Sequence, residues 1–472
     1  MRCPRPLPPV PPETARIAPA AFSTGRPSLR AADELGERFA DDTFAGPSRR
    51  RGQPALATVL PCAEGLRDRQ AAAAVRARPD WQYVPRPDRD DPGFDASVLG
   101  ASRVRLAAGA AEWLRFEALL RWGHERRSRK GRGRQRTDAT PVLAAVRALN
   151  RIEVVGETLR HALDRLAVAA PDRLRARCRP DWGDRYGRRL EDAAPPEGQA
   201  AREAFAVLVG GDGHALLAAV FAPDAPAWRR EVSAAETPRR VRVQQFRLDE
   251  GAVRWRTADA IPPAASFIGS PHDVAAHDAR TSTTSWVGYT LHVTEACDDD
   301  APRRITHVET TSAPVVDAAA LSPIHQALRK RDLLPAVQLV DTGSLDAPQI
   351  VAAHEEYAIA RRGPARPDSQ WQARARNGFA LDDCHRDWER GQATCPTGRT
   401  SISWRHRPDP AGRDRIWVTF SSKDRGPCSS RPACCRAQGR SPRRTLCLRP
   451  RVQFEARRAA RRRETTDDTG AT

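Results

Sequence analysis

The chain has 472 residues, with 78 Lys and Arg against 59 Asp and Glu, a formal net charge of +19. Nearly all the positive charge is Arg, whose planar fork suits phosphate, so nucleic acid is the expected partner. No apolar run approaches the ~20 residues of a membrane span, and the opening MRCPRPLPPVPPE lacks a signal peptide's apolar core, which leaves a cytoplasmic, nucleoid-associated protein with no membrane partner.

A high-GC coding bias raises Arg, Ala and Pro together and accounts for part of this balance; Pro reaches 40 and Met is 1. The length allows two to four domains. In a cytoplasmic setting the 10 Cys read as thiols or metal ligands rather than disulfides.

Residues 1–30 are Pro-rich and predict a disordered arm. Residues 31–125 predict a helical, DNA-binding amino-terminal domain. Within it Arg67, Arg69, Arg76 and Arg78 are candidates for DNA contact, or for an ordinary solvated helix face. A helix near Val98 to Glu125 carries Trp113, Leu114, Phe116, Leu119, Leu120 and Trp122, expected to be core. The basic run Arg126 to Arg136 has Gly and few apolar residues; it predicts a mobile segment able to track a phosphate backbone.

After Asp138 the pattern LAAVRALNRIEVVGETLRHALDRLAV has a 3.6-residue period and predicts a long helix to about Val168. Residues around 171–263 read as an inserted helical subdomain. From Trp286 the period changes to 2. WVGYTLHVTEA and RRITHVETT predict a hairpin of two strands. Then come a helix from Asp317 to Lys330, a strand from Val337, a helix from Asp346 to Tyr357 and a short strand from Ala358 to Arg362. This order predicts a mixed α/β (α+β) sheet flanked by helices over residues 126–362. Residues 363–450 form a Cys-containing insertion, and 451–472 a charged tail.

Val337 to Val340 ends on Asp341-Thr342-Gly343. A strand closed this way delivers a carboxylate to the carboxyl edge of a sheet, where ligand sites of open α/β sheets lie; the plainer reading is a turn aspartate that caps the next helix. Asp138 also stands where a regular element meets a turn. Phosphodiester chemistry uses such carboxylates to hold Mg²⁺, which takes one or two of them plus substrate phosphate. Asp138 and Asp341 are therefore the candidate catalytic and Mg²⁺ (or Mn²⁺) residues. Cys395, Cys428, Cys434 and Cys435 are candidates for Zn²⁺, although Arg425 stands where a CxxC partner of Cys428 would be.

Taken in order, RGQPA, DRQAA, GRQRTDAT with VLAAVRALNRIEVVGETLR, RYGRRLED, WVGYTLHVTEACDDDAPRRITHVETT, LVDTG, CPTGRTSISW and RRTLCLRP make the chain resemble the DDE transposases of bacterial insertion sequences, the branch with an InsH-type helical amino-terminal domain. The resemblance runs over nearly the whole chain. It implies an RNase H-like catalytic domain and metal-dependent cleavage and transfer of double-stranded DNA at the element's terminal inverted repeats and at a target. It also implies a homodimer on paired ends. The family's first two catalytic acids map onto Asp138 and Asp341. Its third, a Glu in a block like GVEGTLSQGVRAFGLRR, has no counterpart here, since the surroundings of Glu455 and Glu464 do not match. Ser344 replaces the family's usual Tyr after Asp-Thr-Gly, and His277, Asp278, Thr281 and Ser282 replace basic and aromatic positions. These departures imply a truncated, catalytically impaired copy. The alternative is a non-catalytic DNA-binding fragment that competes with intact transposase.

Overall fold

The computed structural model describes residues 9–22, 61, 64–83, 93–108, 113, 116–117, 120, 132–145, 149–190, 196–222, 233–281, 284–300, 303–425, 427–436 and 443–467. The chain divides into two compact units, Met1–Gly131 and Arg132–Thr472.

The first unit is helical among its described residues: α1 (Pro12–Ala21), α2 (Asp68–Ala77), α3 (Pro79–Gln82) and α4 (Ala96–Ala108). The expected disordered arm is thus interrupted by a helix: Pro at its first position presets φ, and α1 packs on α3. Ala71, Ala72, Ala74 and Val75 are buried on one side of α2, and Trp81 on α3 is wholly buried. Arg78 is held by both Glu64 oxygens and by Asp80, so it is an internal ion pair rather than a free phosphate contact. Trp113, expected in the core, is 39% exposed and meets Phe116 edge to face. Leu114, Leu119, Trp122 and the basic residues 126–131 lie outside the described residues.

The second unit is built on a six-stranded mixed sheet. Its strands are β1 (Arg134–Leu143), β4 (His277–Arg280), β5 (Ser285–Ala296), β6 (Arg304–Ser312), β7 (Val337–Leu339) and β8 (Ala360–Arg362). The intervening β2 (Phe246–Asp249) and β3 (Ala252–Trp255) belong to the inserted segment between β1 and β4. The order runs β8–β7–β1–β5, with β4 and β6 both on β5. Strands β1, β7 and β8 are parallel; β5 is antiparallel to β1, β4 and β6. The hairpin, the helix α9 (Asp317–Lys330), β7, the helix α10 (Ala347–Tyr357) and β8 match the sequence expectation in kind and order.

Period-2 alternation makes β5: every second residue from Trp286 to Ala296 is buried. Gly288 has φ +150, and a Cβ there would lie 2.2 Å from the Val142 carbonyl oxygen. Only glycine therefore lets β5 lie this close to the end of β1. In α9 the buried Ala320, Leu321, Ile324, His325 and Leu328 form one face. Arg329 and Lys330 in its last turn complement the helix dipole.

Between β1 and β4 the chain makes a helical subdomain from α5 (Arg151–Ala169), α6 (Trp182–Tyr186), α7 (Gln199–Val220), α8 (Ser233–Gln245) and the hairpin β2 (Phe246–Asp249) and β3 (Ala252–Trp255). Asn150 starts α5: its side chain accepts from the Ile152 and Glu153 amides while Glu153 accepts from the Asn150 amide. That reciprocal cap sets the helix start at 151, well beyond Asp138. The long helix expected directly after Asp138 is therefore preceded by strand to Leu143. Val154, Leu159, Trp182, Val209, Leu216 and Phe246 share its core. Contrary to the expectation that no run approaches a membrane span, α7 is long and apolar enough to cross one. In this fold its Asp212 is fully buried against Arg185 and Tyr186.

The Cys-containing segment holds β9 (His385–Asp387), β10 (Gln392–Thr394), β11 (Ser401–His406), β12 (Ile416–Phe420), α11 (Arg431–Cys434) and β13 (Thr445–Leu448), followed by α12 (Arg451–Asp467). β11, β12 and β13 form an antiparallel sheet, and β9 pairs with β10. Val418, Phe420, Leu446 and Leu448 are its core, shared with Cys384 and Cys395.

Candidate carboxylate site at the edge of the sheet

Asp138 lies in mid-strand rather than at a turn, on β1 opposite Val293 of β5. The Arg-rich run was expected to be mobile, but Arg134 and Arg136 are strand residues. Arg132 donates to the carbonyls of Leu334 and Pro335, which holds β1 to the segment leading into β7. The parallel register pairs Arg134 with Val337, Gln135 with Gln338 and Arg136 with Leu339. The last pair is Arg136 with Leu339, and Asp138 and Asp341 each lie two residues beyond it along the sequence. The two acids chosen from the sequence thus come from adjacent parallel strands, Asp138 from the middle of β1 and Asp341 from just past the carboxyl end of β7, and both act on the carboxyl of Asp317.

A polar chain beneath them keeps that register. Buried His325 of α9 meets Gln338 Oε1 at 2.6 Å, and Gln338 Nε2 donates to Thr137 Oγ1 at 2.8 Å. Thr137 Oγ1 lies 3.0 Å from Thr294 Oγ1 of β5. Burial pushes His325 down to about 4; the ring is neutral at pH 7 and can donate Nε2–H to Gln338.

Asp341 opens a turn: its Oδ1 accepts from the Ser344 amide at 2.9 Å. Asp138 Oδ1 accepts from the Ala139 amide at 2.8 Å. Both side chains are exposed, and each keeps its second oxygen for a ligand. Asp317, the first residue of α9, was passed over in the sequence. Burial pushes its carboxyl above the usual range; the opposing charge of His292 is the next influence, and the carboxylates of Asp341 and Asp138 add to the rise. Its Oδ1 lies 3.9 Å from His292 Nδ1. The three carboxylates therefore share one electrostatic neighbourhood. The signal that could have found Asp317 is an acid at the start of a helix that returns from the sheet, on the same side as the strand ends. Among the described residues no three His, Cys, Asp or Glu side chains converge as a ready metal cage. Two hard carboxylates from adjacent strands still match what Mg²⁺ takes from protein, with phosphate oxygens and water completing the shell.

The cysteines are only partly gathered. Cys395, Cys428 and Cys434 line one small cavity with Phe420 and Asp424. Cys435 is not in that lining; its thiol donates to the Arg443 carbonyl. Cys384, not singled out from the sequence, is buried in the same core, and burial with the neighbouring Cys395 pushes its thiol up. Glu455 on α12 is paired with Arg451.

No family model, curated protein or solved structure matches the chain.

Proposed function

We propose that the chain is a DNA nucleotidyl transferase of the DDE-transposase kind, with an RNase H-like core, in which Asp138 and Asp341 are the catalytic carboxylates. One observation carries this reading: Asp138 and Asp341 each lie two residues beyond the last pair of the parallel β1–β7 register, Arg136 with Leu339, and both act on the carboxyl of Asp317. The strand order, with three parallel strands and an antiparallel hairpin on β1, supports the same reading, as does the net charge of +19.

Asp138 and Asp341 would hold Mg²⁺, which supplies charge stabilisation at phosphorus and activation of a hydroxyl or water. The Ser344 amide orients Asp341. The His325–Gln338–Thr137 chain fixes the spacing of the two strands. Asp317 adds negative charge to the same neighbourhood and favours a bound cation.

The test is strand nicking of DNA carrying the sequences that flank the gene, with a binding assay alongside. Asp138→Asn and Asp341→Asn should each reduce Mg²⁺-dependent nicking by more than the roughly 10–100-fold that loss of a metal-orienting group costs, while salt-sensitive DNA binding survives. Cleavage retained in either variant refutes the assignment. A second reading, binding without cutting, is favoured by the lack of a three-ligand group among the described residues. Under that reading the unaltered chain binds such DNA yet does not nick it in Mg²⁺.

A further inference from the structure

The helical subdomain holds a cavity of about 630 Å³ between the start of α5, α6, the start of α7 and β3. Its volume falls within the roughly 300–1,000 Å³ typical of small-ligand sites. Phe205, Leu190 and Trp255 give it apolar walls; three arginines line it, Arg151, Arg185 and Arg202, of which Arg185 is already paired with Asp181 and Asp212. Trp255 is held by an edge-to-face contact with Phe246 at 5.0 Å.

Arg151 is the informative residue. Its Nε donates to Gln245 Oε1 and its Nη2 to the Arg256 carbonyl, both at 2.8 Å. Its guanidinium lies over the Trp255 ring, 4.4 Å from the centroid. All these partners are neutral. Burial lowers its pKa, and among the described residues no carboxylate opposes the change. A partly buried cation without a counter-charge is costly unless an anion reaches it. Arg202 is exposed, and its Nε donates to the Pro196 carbonyl. Among the described residues two acids line the cavity: Glu153 is engaged in the α5 cap, and Asp184 is exposed.

We propose that this cavity binds a nucleotide unit, its base against Trp255 and Phe205 and its phosphate on Arg151 and Arg202. A bare phosphate would leave the apolar walls unused, and a neutral aromatic would leave Arg151 uncompensated. Asp184 can accept from a sugar hydroxyl or a base amino group. The inference does not rest on Asp138 and Asp341, which lie outside this subdomain. The nucleotide can be free or part of a single strand, and the experiment separates these sources.

Calorimetric titration of the full chain uses adenosine 5′-monophosphate, a deoxythymidine decanucleotide and inorganic phosphate. Arg202→Gln, at an exposed position that leaves the fold intact, should weaken binding about tenfold, the loss of one charge-assisted contact. Arg151→Met should weaken it at least as much. Arg247→Gln, on exposed β2 away from the cavity, should leave it unchanged. Binding of the monophosphate with this pattern establishes a free-nucleotide site. Binding of the decanucleotide alone with the same pattern establishes a strand-borne nucleotide. The proposal is overturned if phosphate binds as tightly as the monophosphate, if neither nucleotide probe binds, or if Arg202→Gln behaves like Arg247→Gln.

Discussion

Gly363 lies against the carbonyl of Val340, so closely that a Cβ at 363 would sit 2.0 Å from that oxygen. Val340 in turn donates its amide to the Arg362 carbonyl. The strand end that presents Asp341 is thus clamped by a residue with no side chain. Gly363→Ala must push this backbone aside. It should cost at least about 2 kcal/mol, as overpacking does, and should also impair Mg²⁺-dependent nicking. Urea unfolding measures the first effect and the nicking assay the second. An alanine variant with unaltered stability would show that the backbone yields there freely.

His325 gives the fold an acid limit. Its folded pKa is about 4, against an ordinary value of 6.5. The unfolded chain therefore takes up the proton first as pH falls. The stability tied to neutral His325 is complete above about pH 6.5 and is lost progressively down to about pH 4. The loss is roughly 2–4 kcal/mol at 1.36 kcal/mol per pH unit. His325→Gln keeps a donor for Gln338 without a titrating ring, so its unfolding free energy between pH 4 and 6.5 should change less steeply. Equal slopes would contradict this account.

The part of the sheet that could be read in advance was the part with strong local signals. β5 alternates cleanly, and α9 and α10 have apolar faces with recognisable ends. β1 was not legible as a strand because Arg134, Arg136 and Asp138 face solvent while Gln135 is its buried residue; polarity concealed the period. The sequence marks Asp138 as a candidate site residue but carries no sign of its place in mid-strand. Asp317 carries no local signal of a site, since only the fold brings it near Asp138 and Asp341. β9 and β10, three residues each, are too short to show any period.

Asp212 offers a test of the helical subdomain. Fully buried on α7, it accepts from Arg185 and from the Tyr186 hydroxyl, which ties α6 to α7. Removing one partner of a buried pair costs roughly 3–5 kcal/mol because the other charge is left behind. Asp212→Ala should destabilise the chain by about that amount in denaturant titration. A change below about 1 kcal/mol would mean that water reaches Arg185 readily.

Thiol labelling checks the Cys-containing segment. Cys384 is 1% exposed and Cys178 is exposed. Iodoacetamide should modify Cys178 in the native chain and Cys384 only when denaturant is added, because access as well as thiolate content governs reaction. Mass spectrometry of the peptides reads both; early labelling of Cys384 would open up that core.

The β1–β7 pairing also sets a timetable for synthesis. Gln338 and Thr137, joined by a hydrogen bond, are 201 residues apart in the chain. At roughly 5–20 residues per second on the ribosome, β1 emerges about 10–40 s before the strand that will lie beside it. For that interval its β7-facing edge has no native neighbour. The charged side chains along it then act as a guard, since Arg and Asp on an open strand edge discourage pairing with other nascent chains. The polarity that hid β1 from view is what lets it wait.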